Sequence, residues 1–313
     1  MVRSRRNLAE RIKERNRQTT QGRQMLKPML LVLVVVLVAV LSACAEPVPL
    51  GGGAKSLIDQ VKMLPTESTG FIFWDIGQLG AKAEVYDIWQ EWEKQEGGWL
   101  RDTAGIRIGE VKLFVQASVP GLGVVTIVSG DFVTDDVEKQ LKDSGYTPGT
   151  YLGVQRLTKT QDGERLAVAL YKKSVIAGSE ELVDKCIDVV KRKDSRSLYE
   201  DSYIRRIVDQ LPGGVVTGVE RNEKLYDRLV ALGMSVQRKN KETLKVKAVY
   251  EFEVANAAKD EDTLVKVKDD LTKPNVPIIK GECFDPEVKP KDEFIEGTAL
   301  MHISDFSYFS LSE

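Results

Sequence analysis

Apolar positions along this chain recur with two periods, close to 3.6 and close to 2, and they divide it into helices and strands. Leu57, Ile58 and Val61 fall at helical spacing until Pro65, which cannot continue a helix. Residues 70–74 (GFIFW) are aromatic and β-branched, as a strand prefers. The stripe Leu79, Val85, Ile88, Trp89 and Trp92 predicts a helix over 79–96. Strands are predicted at 111–118 and 123–129, joined by the turn-forming Val119-Pro120-Gly121-Leu122. A helix over 131–144, capped by Asp131 or Thr134, stops at Gly145. Three strands follow, at 151–157, 165–171 and 174–177.

The second half continues the pattern. Helices are predicted over 180–191, with Cys186 on the apolar face, over 198–211, and over 222–232 with Gly233 as the stop. A strand at 215–219 lies between the last two. Leu244, Val246, Ala248, Tyr250, Phe252 and Val254 alternate with mostly charged residues, the pattern of a half-solvated antiparallel strand. A helix over 257–271 ends near Pro274, and strands at 276–284 and 293–303 close the chain.

Strands outnumber helices, and short turns join many of them. The fold class is therefore α+β, with a largely antiparallel mixed sheet and helices packed on one face. Residues 70–157 read β-α-β-β-α-β, and 215–303 echo that order, as two ferredoxin-like units would. The expected organisation is a first α+β unit at 57–212 and a second at 213–313 packed on the first.

Charge changes the reading of what precedes residue 57. The formal net charge of −2 averages two unlike parts. Residues 1–43 hold nine basic and two acidic residues, +7, and the remaining 270 hold 36 basic and 45 acidic, −9. Residues 29–45 carry no charge, and they end in Leu41-Ser42-Ala43-Cys44. A basic stretch, an apolar stretch and small residues in that order make a secretory signal. The Leu-Ser-Ala-Cys ending resembles the lipobox of bacterial lipoproteins. That resemblance implies cleavage before Cys44, a diacylglycerol on its sulfur and acylation of the new amino group. Two or more acyl chains anchor stably where one holds marginally. Residues 1–43 are then a signal peptide and 44–56, with Pro47, Pro49 and Gly51-Gly52-Gly53, a flexible tether. The expected location is the extracytoplasmic face of the cell membrane. An uncleaved transmembrane helix is the alternative, and the 17-residue run is at the short edge for one. Both place the body outside, because the basic flank stays cytoplasmic. Ser4-Arg5-Arg6-Asn7-Leu8 resembles a twin-arginine export signal, but farther from the apolar run than usual. The body is similar to extracytoplasmic bacterial proteins that open on a Leu-Pro segment, here Leu64-Pro65, and carry a Gly-Asp-Phe step, here Gly130-Asp131-Phe132.

Candidate chemistry is sparse. A single His, His302, and three Cys do not supply the ligands of most transition-metal sites or the base of a His-dependent triad. No phosphate loop or dinucleotide fingerprint occurs, so no cofactor is expected. Near-neutral charge argues against a nucleic-acid partner. Trp89, Trp92 and Trp99 form either a core stripe or an aromatic ligand patch. Cys186 and Cys283 are either a disulfide, which export permits, or reduced core thiols. The acidic clusters at 135–136, 260–262 and 292–293 lack calcium-loop spacing and read as solvated faces. The expected role is non-enzymatic binding of an envelope ligand or protein, with the membrane as a second partner through Cys44. A carboxylate-dependent envelope hydrolase and a carrier of an apolar ligand are the alternatives.

Overall fold

Every residue of the strand Gly70–Asp75 is buried, although neighbouring side chains on a strand point to opposite faces. Both faces at this point must therefore be covered. The computed structural model describes residues 53–80, 94, 97–193, 196–221, 225–273, 275–276 and 279–306. In chain order its elements are α1 (Gly53–Val61), β1 (Gly70–Asp75), α2 (Ile76–Gly80), β2 (Val111–Val119), β3 (Gly123–Gly130) and α3 (Thr134–Asp143). Then come β4 (Thr147–Tyr151), β5 (Val154–Gln161), β6 (Glu164–Tyr171), β7 (Ser174–Ser179), α4 (Glu180–Lys191) and α5 (Ser202–Gln210). The last part holds β8 (Val216–Arg221), β9 (Leu229–Arg238), β10 (Thr243–Phe252), α6 (Ala255–Ala258), α7 (Glu261–Thr272), β11 (Asn275–Val276), β12 (Ile279–Lys280), β13 (Cys283–Lys291) and β14 (Phe294–His302).

Among the described residues twelve strands form one sheet in the order β13-β14-β10-β9-β8-β1-β2-β3-β7-β6-β5-β4, and β11 and β12 pair separately. The fold is α+β. All neighbours in the large sheet pair antiparallel, so the sheet is not mixed. The ferredoxin-like order is absent as well. β1, β2 and β3 are successive neighbours, and β7 to β4 follow as a reversed meander, so no strand is inserted between β1 and β2 in the way a split βαβ unit requires. The sections before and after residue 213 do not pack face to face. They join edge to edge where β1 pairs with β8, from Gly70 opposite Glu220 to Trp74 opposite Val216, and residues 51–313 are one compact unit.

Helices cover both faces rather than one. Phe71 and Phe73 of β1 join a core with Leu57 and Val61 of α1, Leu182 and Cys186 of α4, and Ile204 and Ile207 of α5. Ile72 and Trp74 point the other way, into a core with Leu141 of α3, Leu100, and Val267 and Leu271 of α7. The reason lies in the central strands, which carry apolar residues at odd and even positions alike and leave neither face fit for water.

The helix expected over 222–232 is corrected by the same fact. Residues from Leu229 form β9, where only Val230 of the first eight side chains is not fully buried. A continuous apolar run is compatible with a doubly covered strand as well as with a buried helix. Gly233 lies inside this strand, where a Cβ would collide with Ile207 of α5 and with Leu211 just after that helix. Gly297 of β14 plays the same part under Leu271 of α7. β10 is likewise not half-solvated, since Val249 and Glu251 are buried on its second face.

Local signals shape the helices. Asp201 caps α5 by accepting from the backbone N–H of Tyr203 and Ile204, at 3.1 and 3.0 Å. Asp260 caps α7 in the same way through Thr263. α3 has Val133 at its N-cap and no side-chain cap, so neither Asp131 nor Thr134 fills that role; Asp131 faces Lys112 instead, at 3.7 Å. Across β5 and α4, Arg156 reaches Asp184 at 2.5 Å and Glu180 at 3.0 Å, which ties the helix to the sheet. Among the described residues no helix is long and apolar enough to cross a membrane; residues 1–52 lie outside them.

Candidate functional site

A cleft with a volume of about 940 Å³ opens where the turn before β9 meets α6 and α7. Its rim at Tyr226, Asp227 and Arg228 is a tight turn, closed by the N–H of Leu229 on the carbonyl of Tyr226 and by Arg228 in the left-handed region at φ 59. The opposite wall is built by Asn256 and Ala257 of α6 and by Asp262, Thr263, Lys266, Asp269 and Asp270 of α7, with Asp260 at the helix start. Among the described residues, five carboxylates and two cations therefore line it.

The carboxylates are not equivalent. Asp260 accepts from the N–H and the hydroxyl of Thr263, both at 2.9 Å, and the backbone bond first of all holds its carboxyl below the usual range. Asp270 is half-buried, and loss of water pushes its carboxyl up. The Tyr226 hydroxyl donates to it. The Tyr226 ring in turn meets Tyr250 edge-on, with centroids 6.0 Å apart. Tyr250 is fully buried, and its hydroxyl has no hydrogen-bond partner among the described residues; burial pushes that phenol up. One end of the cleft is thus fastened to the core through Tyr226, while Asp227 and Arg228 stand in water.

A second unusual carboxylate lies on the other face. Glu251 of β10 is fully buried and meets the guanidinium of Arg206 from α5. Desolvation outweighs that cation and pushes Glu251 up to about 7; Glu293 adds to the rise. Arg206 is itself half-exposed and also faces Glu293 at 3.7 Å.

The residues singled out from the sequence fall apart in space. Cys44 lies outside the described residues, as do Trp89 and Trp92. Trp99 is half-buried and packs against the core beneath α3 and α7. Cys186 and Cys283 are free and buried, one in each core, with the sheet between them, so the disulfide is not formed. Burial raises both thiols, Cys283 to about 11. His302 is exposed at the end of β14 and stacks on Phe284 at 4.8 Å. The 260–262 cluster is the one acidic run that joins a described cleft, and among the described residues no group of His, Cys, Asp and Glu is arranged to hold a metal. Sequence reasoning missed the cleft because its rim was assigned to a helix. The signal that could have exposed it is the apolar run itself, which continues past Gly233 to Met234 and Val236 where a helix stopped by Gly233 would have ended.

No family model matches this chain, and no solved structure matches it. Among curated proteins it is similar to an uncharacterised protein of Methanocaldococcus jannaschii, 28% identical over 226 residues that cover 69% of this chain and 78% of the relative.

Proposed function

We propose that this chain is a lipid-anchored protein of the extracytoplasmic membrane face, with a non-enzymatic role in binding a ligand or protein of the cell envelope. The observation that carries the reading is the uncharged run at 29–45 closing on Leu41-Ser42-Ala43-Cys44 behind a +7 leader. From Cys44 only nine residues lead to the start of α1, so the tether reaches about 30 Å at full extension and keeps the body near the bilayer. The cleft beside α7 is the binding face this reading favours, because it is open, roomy and rigidly backed by Tyr226 and Tyr250. Its excess of carboxylates selects for cationic groups. Radiolabelled fatty acid fed to cells is expected to enter the protein and to vanish from the Cys44→Ala variant; label that persists in the variant overturns the anchor.

The carboxylate hydrolase stays as a second reading, favoured by Asp262, Asp269 and Asp270 on one wall of a cleft. It requires two acids about 5–10 Å apart across a bound glycan. Release of sugar from envelope glycan by the full chain, lost in Asp270→Asn, selects it over simple binding.

A further inference from the structure

On the face opposite the acidic cleft, four cations from two parts of the chain, residue 62 and residues 192–196, line a pocket of about 440 Å³. Lys62 follows the end of α1, Arg192 and Lys193 follow the end of α4, and Arg196 precedes a short 3-10 turn at Leu198–Glu200. None of the four forms an ion pair among the described residues. Elsewhere on this acidic body cations are commonly paired, as Arg156, Arg165, Lys185, Arg206 and Arg221 are. Among the described residues a single carboxylate, Glu200, lines the pocket with the four cations. Glu200 accepts from Ser197 at 3.3 Å, and Asp209 accepts from the Tyr199 hydroxyl at 2.6 Å. Lys62 lies over the Tyr199 ring, 5.2 Å from its centroid, which fixes one wall.

A simpler account covers two of the four. Arg192 and Lys193 sit at a helix C-terminus, where the dipole favours cations. It does not cover Lys62 and Arg196, which come from outside that helix and turn into the same pocket. Unpaired cations lining one pocket suit a compact anion with several acceptor oxygens.

We propose that this pocket binds a phosphate-bearing anion, either a lipid headgroup or a soluble phosphate. The headgroup source rests on the anchor proposed above. α1 leads directly from the tether into Lys62, and a body of net charge −9 is repelled from an anionic bilayer everywhere except at such a basic spot. The pocket would then set which way the tethered body faces.

The test uses the full chain in neutral micelles. Inorganic phosphate at 10 mM, against chloride at equal ionic strength, is expected to raise the melting midpoint by about 2–4 °C. The Arg192→Gln/Arg196→Gln pair is expected to lose that shift while melting normally in chloride. Lys62→Gln, outside the 192–200 loop, is expected to reduce it, and it serves should the pair fail to fold. A shift that survives in the variants, or none in the parent, with no response to anionic discs, overturns the proposal. In the second arm the chain is placed in nanodiscs of phosphatidylcholine with or without phosphatidylglycerol. Slower amide exchange at 196–200 in the anionic discs alone identifies a headgroup; protection by inorganic phosphate alone identifies a soluble anion and removes the membrane role. Loss of acyl label at Cys44 is read separately, so failure of the anchor and failure of the pocket are distinguishable.

Discussion

Glu251 is a carboxyl placed where water cannot reach it, and its ion-pair partner compensates only in part. Its pKa rises from the ordinary 4.5 to about 7 because desolvation exceeds the attraction of Arg206. A carboxyl raised on folding favours the folded state while protonated. That contribution is complete below pH 4.5 and is lost as pH climbs through 7, a swing of about 3 kcal/mol. Glu251→Gln keeps the shape and removes the charge. Urea unfolding is expected to find the variant about 1–3 kcal/mol more stable than the parent at pH 8 and no more stable at pH 5. A difference that does not change with pH would show that Arg206 solvates the carboxylate fully. Arg206 is half-exposed, so water takes over its charge once the partner is gone.

At the level of elements, the packing of α5 decides how the two halves of the sheet are covered. Its apolar face, Ile204, Ile207 and Val208, is fully buried. Its first turn depends on Asp201, which caps two N–H groups and also pairs with Arg221 of β8 at 2.5 Å. Asp201→Ala is expected to destabilise the protein by about 1–2 kcal/mol, the usual cost of a lost cap, and Asp201→Asn by less. Equal losses in the two variants would assign the effect to the ion pair instead. The sheet's outer strands are managed differently. β4 carries Pro148, and β13 carries Pro286, Pro290 and a shift of register between Phe284 and Glu287. Proline and irregularity at an edge discourage pairing with another chain.

At the scale of the whole molecule, the sheet is a partition. It separates two cores, and it puts the acidic cleft and the basic pocket on opposite sides. Cys186 and Cys283 report that partition chemically, since neither can reach the other. Reductant is therefore expected to leave the melting midpoint unchanged, and a thiol reagent is expected to modify neither residue in the native protein and both after unfolding. A midpoint that falls by several degrees in reductant would contradict the placement of the two thiols.

The sequence by itself determined the elements whose signals are local. The strands at 70–74, 111–118, 123–129 and 165–171 and the helix at 180–191 coincide with β1, β2, β3, β6 and α4, because alternation, helical spacing and Pro or Gly stops act within a few residues. The +7 charge of residues 1–43 and the Leu41-Ser42-Ala43-Cys44 run are local features too. Only the tertiary structure decided that Leu229–Val236 is strand, that helices cover both faces, and that β8 pairs with β1. Each depends on what packs over a residue from far along the chain, and an apolar run looks the same whichever partner buries it. The candidate sites share that origin. Tyr226 and Asp270 are 44 positions apart, and Lys62 and Arg196 come from either side of seven strands. Spacing along the chain carries no record of such meetings, because they are made by the order of strands in the sheet.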